Sequence, residues 1–335
     1  MSRSRWLALA MAGSLASPLA GCKALRLTGA NAALFFRTPD PVLVQPARVE
    51  LPGARLAATW IGHATVLVQL DDKFILTDPI FTEYAGAFTR RLVAPGLAVD
   101  RLPPLAAVLV SHRHPDHLSP RSLTAIGPKA SKVIVPPGAG DDVPAGPFRV
   151  LELERWESHE ADGLRITAVP VDHSGGRFLD RRSHPRAFTG FVVEYRGLTV
   201  YFAGDTAFAP EHFRATAGRF PRIDLALLPI GPISPREASR PNHMDPDDAL
   251  EAARLLGADA MLPIHHDTFV HSYDAPGDCV EALHGALAAG APYPPQRVHV
   301  LRIGEQRAFP ATAPLDGLAH VKRAPDARTP ARASP

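Results

Sequence analysis

The sequence predicts an α/β fold in which strands and helices alternate and pack in layers. Three observations predict it. Short apolar runs of the kind found in buried strands recur along the chain. Helical patterns lie between some of these runs, and polar residues of metal-ligand type follow each run directly. Strands that alternate with helices are typical of layered α/β domains.

Each apolar run ends at a residue that can bind a metal or orient a metal ligand. The runs are FILT before Asp78, LAAVLV before Ser111, ITAVPV before Asp172, LTVYFAG before Asp205 and ADAMLPI before His265. In α/β folds, ligands bind just beyond the carboxyl ends of the strands. We therefore expect the residues that follow these runs to gather at one edge of the sheets.

The segment DPDDALEAARLLG, residues 245–257, predicts a helix. Either Asp245 or Asp247 stands where an N-terminal cap is expected, apolar residues follow at helical spacing, and Gly257 ends the pattern.

Composition excludes some functions. The chain has 335 residues, of which 46% are hydrophobic and 21% charged, so it can form a packed globular core. Its net charge of +2 is too small to indicate nucleic-acid binding. It also lacks a zinc-finger spacing and a glycine-rich phosphate loop.

The N-terminus has the pattern of a secretory signal. Arg3 and Arg5 precede an apolar stretch that is shorter than the roughly 20 residues of a membrane span. The following Leu19-Ala20-Gly21-Cys22 resembles a bacterial lipobox, which implies cleavage before Cys22 and acylation of this cysteine. An ordinary signal peptide with a chance cysteine is the alternative. With Lys23 next, we expect a lipid-anchored envelope protein at the outer membrane, facing the periplasm.

The stretch VLVSHRHPDHLSP, residues 108–120, is the strongest indication of a metal site. Zinc binds imidazole nitrogens and carboxylate oxygens. Residues two apart on an extended segment point the same way, so His112 and His114 can chelate one ion together. Asp116 and His117 lie beyond Pro115 and can face a second ion. The alternative, a polar surface loop, would require four ligand-type residues to gather by chance.

The same stretch resembles the His-x-His-x-Asp-His signature of the metallo-β-lactamase superfamily. The segments TWIGHATVLVQLDDKFILTDPIF, FAGDTAF, LALLPIGPISPRE, NHMDPDDAL and LPIHHDTF are similar to those of the branch that contains N-acyl-phosphatidylethanolamine phospholipase D and its bacterial relatives. The similarity covers residues 45–305. It implies an α/β fold of four αββα layers, with the metal site at one edge of the sheets.

The sequence pattern and this resemblance together predict a domain organisation. Residues 1–21 would be a lipoprotein signal peptide, 22–45 a tether and lead-in, and 46–310 a metallo-β-lactamase-like hydrolase domain. The polar, proline-rich residues 311–335 are expected to be disordered. If Cys22 is acylated, Cys279 has no cysteine partner for a disulfide.

The resemblance implies two Zn²⁺ ions, although other divalent transition metals suit the same ligand types. The first ion would be held by His112, His114 and His173, the second by Asp116, His117 and His265, with Asp205 bridging both. Asp78 would orient a ligand histidine, and His63 would have a core or supporting role. His266 is the weaker neighbour of His265.

The resemblance assigns further site residues, on motifs that are less specific. Asp116 and His243 are the expected catalytic residues, and His243 would contact the substrate or act as an acid, unless it is a cap or solvated loop residue. Arg177 and Arg236 are candidate anion-binding groups, with surface arginines as the alternative. The segment around Phe188 departs from the family pattern, which leaves the substrate open. The remaining histidines, His271 among them, receive no role.

The function implied is hydrolysis by a metal-bound hydroxide. We expect a phosphodiesterase of phospholipase D type that acts on N-acyl-phosphatidylethanolamine-like lipids, with no nucleic-acid partner. A metal-dependent lactonase or other ester hydrolase is the alternative. A non-catalytic metal-binding envelope protein is the second alternative, and the complete set of seven ligands argues against it.

Overall fold

The computed structural model describes residues 37–87, 89–176 and 187–310. Cys22, Arg177, the predicted signal peptide and the predicted tail lie outside the described residues. Among the residues described, no helix is both long and apolar enough to cross a membrane.

Strands and helices alternate along most of the chain. The strands are β1 (Leu56–Gly62), β2 (Thr65–Leu70), β3 (Lys73–Thr77), β4 (Tyr84–Ala85), β5 (Thr89–Arg90), β6 (Ala107–Leu109), β7 (Lys132–Val135), β8 (Arg149–Glu152), β9 (Ser158–Ala161), β10 (Leu164–Val169), β11 (Gly190–Tyr195), β12 (Leu198–Phe202), β13 (Leu225–Pro229), β14 (Met261–Ile264) and β15 (Gln306–Phe309). The α-helices are α1 (Pro120–Ile126), α2 (Pro210–Arg219), α3 (Arg236–Ser239), α4 (Pro246–Leu256) and α5 (Asp278–Ala288). Short 3₁₀ turns cover Val99–Arg101, Gly127–Lys129, Gly140–Asp142 and Pro295–Arg297.

The strands form two large mixed sheets and one small hairpin. The first sheet has the order β15-β1-β2-β3-β6-β7-β8, and the second has the order β14-β13-β12-β11-β10-β9. In the first sheet, β3, β6, β7 and β8 run parallel. In the second, β12, β13 and β14 run parallel. The hairpin pairs β4 with β5.

The apolar side chains define four layers. Trp60 and Ile75 of the first sheet belong to the same buried cluster as Phe191 and Phe202 of the second, so the two sheets pack face to face. Helix α1 covers the outer face of the first sheet, and α2, α4 and α5 cover the outer face of the second. Each large apolar side chain buried in this way stabilises the fold by about 1.5–3 kcal/mol. The predicted αββα sandwich is confirmed.

Helix α4 confirms the helix predicted for residues 245–257. Asp245 is the cap: its side chain accepts from the Asp248 N–H, and Asp248 completes the capping box. Pro246 occupies the first turn, where its missing N–H costs nothing. Gly257 ends the helix in the left-handed conformation, with φ 65°.

The packed domain begins before residue 46. The Asp40 N–H donates to the Leu92 carbonyl over 2.8 Å, and the Ala94 N–H donates to the Asp40 carbonyl over 2.9 Å. Val42 packs against the core between the sheets. Part of the segment predicted as tether and lead-in, residues 22–45, therefore belongs to the domain.

Candidate metal centre

The predicted ligands meet at the edge where strands of both sheets end. The segment from His112 to His117 follows β6 of the first sheet. His173, Asp205 and His265 follow β10, β12 and β14 of the second sheet. The predicted ligands that follow β6, β10, β12 and β14 thus lie together at one edge of the sheets.

Three histidines form one half of the centre. The Nδ1 atom of His114 lies 2.8 Å from His112 Nε2 and 3.2 Å from His173 Nε2. All three nitrogens can serve as ligands of one metal ion, because they lie within the distance that a single coordination sphere spans.

The other half combines a carboxylate with three histidines. Asp116 Oδ2 lies 3.4 Å from His117 Nε2 and 3.7 Å from His265 Nε2. It also lies 2.9 Å from His63 Nε2, so His63 supports Asp116 directly. The geometry makes His63 a further potential ligand, since all four residues belong to one candidate metal group.

Asp205 lies between the two halves. Its Oδ2 atom is 3.1 Å from the Nε2 atoms of His117 and His265. It is 3.9 Å from the Nε2 atoms of His112 and His173. A carboxylate in this position can contact ions on both sides, as the resemblance implied for a bridging ligand.

The donors fit a divalent metal. Within the described chain, three buried atoms of the cluster make no hydrogen bond: His117 Nε2, His265 Nε2 and Asp205 Oδ1. A buried polar atom without a partner costs about 1–3 kcal/mol. Imidazole and carboxylate donors suit Zn²⁺ and several other divalent transition ions. Metal ligation would satisfy all three atoms.

A surrounding set of hydrogen bonds orients the ligands. His117 Nδ1 donates to Asp78 Oδ2 over 2.5 Å. The Ser111 N–H and O–H also donate to Asp78, over 2.7 and 2.6 Å. Ser111 Oγ therefore accepts from His112 Nδ1, at 2.9 Å. Such bonds fix the ring tautomer and direct Nε2 to the metal.

The structure places Asp78 where the sequence analysis expected it, behind a ligand histidine. Sequence reasoning missed the roles of Ser111 and of Asn242, whose carbonyl accepts from His173 Nδ1 over 2.9 Å. Ser111 was marked only by its place before His112. No sequence pattern singled out the Asn242 carbonyl.

Three residues of the centre have left-handed backbone conformations. The φ angles are 56° at His63, 30° at Asp78 and 62° at His265. Residues other than glycine rarely adopt this region, and each such residue costs on the order of 1–3 kcal/mol. The surrounding fold therefore holds these side chains in place against their local preference.

Burial and charge set opposite pKa shifts within the centre. Burial lowers the pKa of His112 and lowers that of His173 to about 4, so these rings are neutral. Burial alone would also lower the pKa of His265, but Asp205 and Asp116 outweigh it and raise the pKa to about 9. The same balance raises the pKa of His117. A metal ion must therefore displace protons from this half of the centre.

The centre opens into a cavity of about 420 Å³. Its lining includes His114, Asp116 and Asp205 together with His243 and His271. His243 Nδ1 lies 3.7 Å from Asp205 Oδ2, and burial lowers its pKa to about 3. His243 thus lines the same cavity as three of the predicted ligands.

His271 is a site residue that the sequence analysis missed. Its Nδ1 atom lies 3.4 Å from Asp116 Oδ2, and its ring stacks on Phe269 with 5.6 Å between centroids. It follows no apolar run and belongs to no motif quoted above, so no local pattern marked it.

The predicted anion-binding role of Arg236 is not supported by its contacts. Its Nη1 donates to the His243 carbonyl over 2.8 Å, and its Nε lies 2.7 Å from Asp245 Oδ2. Its Nη2 pairs with Asp248. Two carboxylates therefore already neutralise the guanidinium. Through its contact with the His243 carbonyl, Arg236 instead stabilises the loop that carries His243.

His266 does not join the ligands. Its ring stacks on Trp60, with 4.4 Å between centroids, and its Nδ1 lies 3.0 Å from Asp267 Oδ2.

Residues 73–266, more than half of the chain, match the model of the beta-lactamase superfamily domain. The chain is 36% identical over 236 residues to N-acyl-phosphatidylethanolamine-hydrolyzing phospholipase D 1 of Caenorhabditis elegans, and the match covers 64% of each chain. It is 28% identical over 245 residues to a metal-dependent hydrolase of Bacillus cereus, covering 68% of this chain and 93% of the relative.

A solved structure shares the fold. The metallo hydrolase Igni18 of Ignicoccus hospitalis superposes with a TM-score of 0.58 at 23% identity, covering 77% of this chain and 99% of the other. The four layers, the grouped His and Asp ligands and the family match agree with one another. The chain therefore belongs to the beta-lactamase superfamily, as a metal-dependent hydrolase with the metallo-β-lactamase fold.

Proposed function

We propose that this protein is a phosphodiesterase of phospholipase D type that acts on N-acyl-phosphatidylethanolamine-like lipids. The observation that carries the proposal is the arrangement of six predicted His and Asp ligands around a seventh, Asp205, next to an open cavity. The 36% identity to the phospholipase D of C. elegans supports this substrate class. The chain spans only 64% of that relative's length, so the activity of the whole relative is a proposal here.

Each group of residues in the site would have its own role. His112, His114 and His173 would hold one Zn²⁺ ion, and Asp116, His117 and His265 a second. When bound, such ions activate water and neutralise charge on a phosphodiester. Asp205 would keep the two halves together. Asp116 would be held in orientation by its contact with His63, and His243 would contact the substrate from the side of the cavity.

The test is a lipid hydrolysis assay on the chain without residues 1–22. The zinc-loaded protein is incubated with N-acyl-phosphatidylethanolamine vesicles, and mass spectrometry follows phosphatidic acid and N-acylethanolamine. We expect both products, and we expect their loss in the double variant His112→Ala, Asp116→Ala. His284→Ala, an exposed histidine on α5, is the matched control and should remain active. Intact lipid despite bound metal would refute this substrate assignment.

A metal-dependent lactonase or other ester hydrolase is the second candidate. The B. cereus metal-dependent hydrolase favours it, because the match covers 93% of that relative's length. Ester cleavage would use the same ligands and the same cavity. A lactone panel measured with the same variants distinguishes the two candidates.

We also propose that Cys22 carries a lipid anchor that holds the enzyme beside its substrate. The lipobox-like sequence before Cys22 supports this proposal. Expression with a labelled fatty acid should label the wild-type chain in the membrane fraction. The Cys22→Ser chain should carry no label, and a labelled Cys22→Ser chain would refute acylation at this residue.

A further inference from the structure

Arg91 is a buried cation that none of the functions proposed above uses. It follows β5 and is 2% exposed. Burial lowers the pKa of its guanidinium to about 9, and no carboxylate of the described residues opposes this shift. Arginine nevertheless stays protonated at neutral pH. Because a buried charge without a carboxylate partner is costly, the groups that surround Arg91 indicate what the residue does.

The Arg91 guanidinium joins three segments from distant parts of the chain. Its Nε donates to the Thr82 carbonyl over 3.2 Å, and its Nη2 donates to the Ile80 carbonyl, both in the loop after β3. Its Cζ lies 4.9 Å from the centroid of the Phe269 ring, in the loop after β14. Its Nη1 lies against Gly62 at the end of β1, where a Cβ atom would come within 3.2 Å of it. One side chain therefore ties the three segments together.

The backbone around Arg91 adds to these contacts. The Arg91 N–H donates to the Glu83 carbonyl over 2.8 Å, and the Leu92 N–H donates to the Thr268 carbonyl over 2.8 Å. Thr268 Oγ1 in turn accepts from the His63 N–H over 2.6 Å. Arg91 therefore lies at the point where the three segments meet.

Each segment also carries a residue that orients or forms one half of the metal centre. In the loop after β3, Asp78 accepts from His117 Nδ1 over 2.5 Å. Directly after β1, His63 Nε2 lies 2.9 Å from Asp116 Oδ2. Directly after β14, His265 Nε2 lies 3.7 Å from the same oxygen of Asp116. The three joined segments therefore converge on the half that contains the predicted ligands of the second ion.

Phe269 connects the guanidinium to this half of the centre. Its ring centroid lies 5.2 Å from that of His63, edge to face, and 5.6 Å from that of His271, in a stack. These two histidines lie 2.9 and 3.4 Å from Asp116 Oδ2. Arg91 thus packs against an aromatic ring that itself packs against two neighbours of Asp116.

The histidines of the other half are oriented by different groups. His112 Nδ1 donates to Ser111 Oγ over 2.9 Å, and His173 Nδ1 donates to the Asn242 carbonyl over 2.9 Å. These two bonds involve neither the guanidinium nor the aromatic ring beneath it. A change at residue 91 should therefore affect the two halves unequally.

Arginine suits this position better than lysine does. Its planar guanidinium presents N–H groups in several directions and stacks on aromatic faces, whereas the lysine ammonium is a compact and strongly hydrated charge. A lysine here would keep the charge. It would not reproduce the two carbonyl contacts and the stacking on Phe269 in one geometry.

We propose that Arg91 is a positioning residue for the half of the centre formed by Asp116, His117 and His265. It acts through Phe269 and through the loop after β3. This inference rests on the two-ion arrangement proposed above, and it concerns the affinity of the second ion and not the identity of the substrate.

The test is the zinc affinity of each half in Arg91→Lys. Calorimetric titration of the metal-free protein gives the affinity for each ion, and anomalous scattering from crystals of the zinc-loaded protein assigns each ion to a half. We expect the ion beside Asp116 to bind about tenfold or more weakly than in the wild type, because its ligands lose their orientation. The ion beside His112 should bind as in the wild type.

Arg90→Lys is the matched control. Arg90 is the neighbouring arginine, in β5, and it is 7% exposed. Its side chain contacts Tyr84 and Glu83 instead, so zinc should bind to both halves as in the wild type. Unchanged affinities in Arg91→Lys would overturn the proposal. An equal loss at both ions, or a wild-type protein without an ion beside Asp116, would overturn it as well.

Phe269→Leu keeps the proposal testable if Arg91→Lys does not fold. It removes the ring between Arg91 and the two histidines but leaves the carbonyl contacts of the guanidinium, and it should also weaken the ion beside Asp116 selectively. Because both residues act along one path, the double variant should lose less affinity than the sum of the single losses. Full additivity would overturn the path through Phe269. None of these measurements uses a lipid, so their failure is distinct from failure of the phospholipase proposal.

Discussion

Asp205 is 2% exposed, and its Oδ2 lies 3.1 Å from the Nε2 atoms of both His117 and His265. Its negative charge is a main cause of the raised pKa values of these two buried imidazoles, to which Asp116 also contributes. The residue thus has two roles at once. It stabilises the protonated histidines of the metal-free protein, and it is the candidate ligand between the two halves of the centre.

Asp205→Asn should lower the metal content of the purified protein, because an amide oxygen is a weaker ligand than a carboxylate. We expect the affinity for zinc to fall by about tenfold or more. Metal analysis after dialysis against a graded chelator measures it. Asp172→Asn, an exposed change in the same region, is the control and should keep the wild-type metal content.

Zinc affinity should rise steeply with pH. Asp205 and Asp116 overcome burial and raise the pKa of His265 to about 9, so the metal-free protein holds this proton at neutral pH. Zinc requires the neutral ring and must displace the proton. The apparent affinity should therefore increase as the pH approaches about 9 and then level off. Calorimetry in buffers of different ionisation enthalpy counts the released protons; an affinity that stays constant from neutral pH to about pH 9 contradicts the prediction.

At the scale of secondary-structure elements, the ends of strands from both sheets come into close contact at the centre. Gly204, just beyond β12, has φ 62°, and a Cβ atom there would lie 2.2 Å from Ser111 Cβ beyond β6. Ser111 in turn holds Asp78 and His112. The approach of the two strand ends therefore requires a glycine.

Gly204→Ala should disturb both stability and metal binding. The added methyl group meets Ser111 and the backbone has a positive φ, so we expect a loss of unfolding free energy of about 1–3 kcal/mol. Because Ser111 must move, zinc affinity should fall as well. Urea unfolding and zinc titration measure the two effects. Gly218→Ala, with nothing near its added Cβ on α2, is the control for a glycine change that leaves both properties intact.

At helix α4, the residue that caps the helix also helps to hold His243 in position. Asp245 caps the helix and pairs with Arg236, which holds the His243 carbonyl. Asp245→Ala should lower the unfolding free energy by about 1 kcal/mol and raise KM, since the loop loses one of its contacts. Asp247→Ala changes an exposed residue of the same turn. It should change both the unfolding free energy and KM by less. Thermal unfolding and steady-state kinetics compare the two, and equal effects would argue against the capping role.

At the scale of the whole molecule, the metal centre joins the two halves of the sandwich. The loop after β6 belongs to the first sheet, whereas His173, Asp205 and His265 follow strands of the second. A bound ion would therefore link residues that are far apart in the chain but meet at one edge of the fold. Metal binding should stabilise the folded state as a whole and not a single loop.

Removal of the metal should lower the melting temperature. A ligand at 100 times its Kd stabilises a protein by about 2.7 kcal/mol. In a domain of this size, each kcal/mol corresponds to about 2–4 °C. We expect a chelator to lower the Tm by roughly 5–10 °C. The double variant His112→Ala, Asp116→Ala should show almost no chelator effect, and an equal shift in that variant would contradict a role for the centre.

The strand ends and helix α4 could be predicted from local sequence patterns, and the set of seven candidate ligands from the resemblance to a known family together with the dense motif at residues 112–117. Apolar runs, a capping aspartate and a dense His and Asp motif act over a few residues. His63 beside Asp116, His271 beside the same carboxylate and Arg236 against Asp245 depend on packing between distant segments. Only the tertiary structure decided these contacts, because the path of each loop is set by the layers it joins and leaves no local sequence pattern.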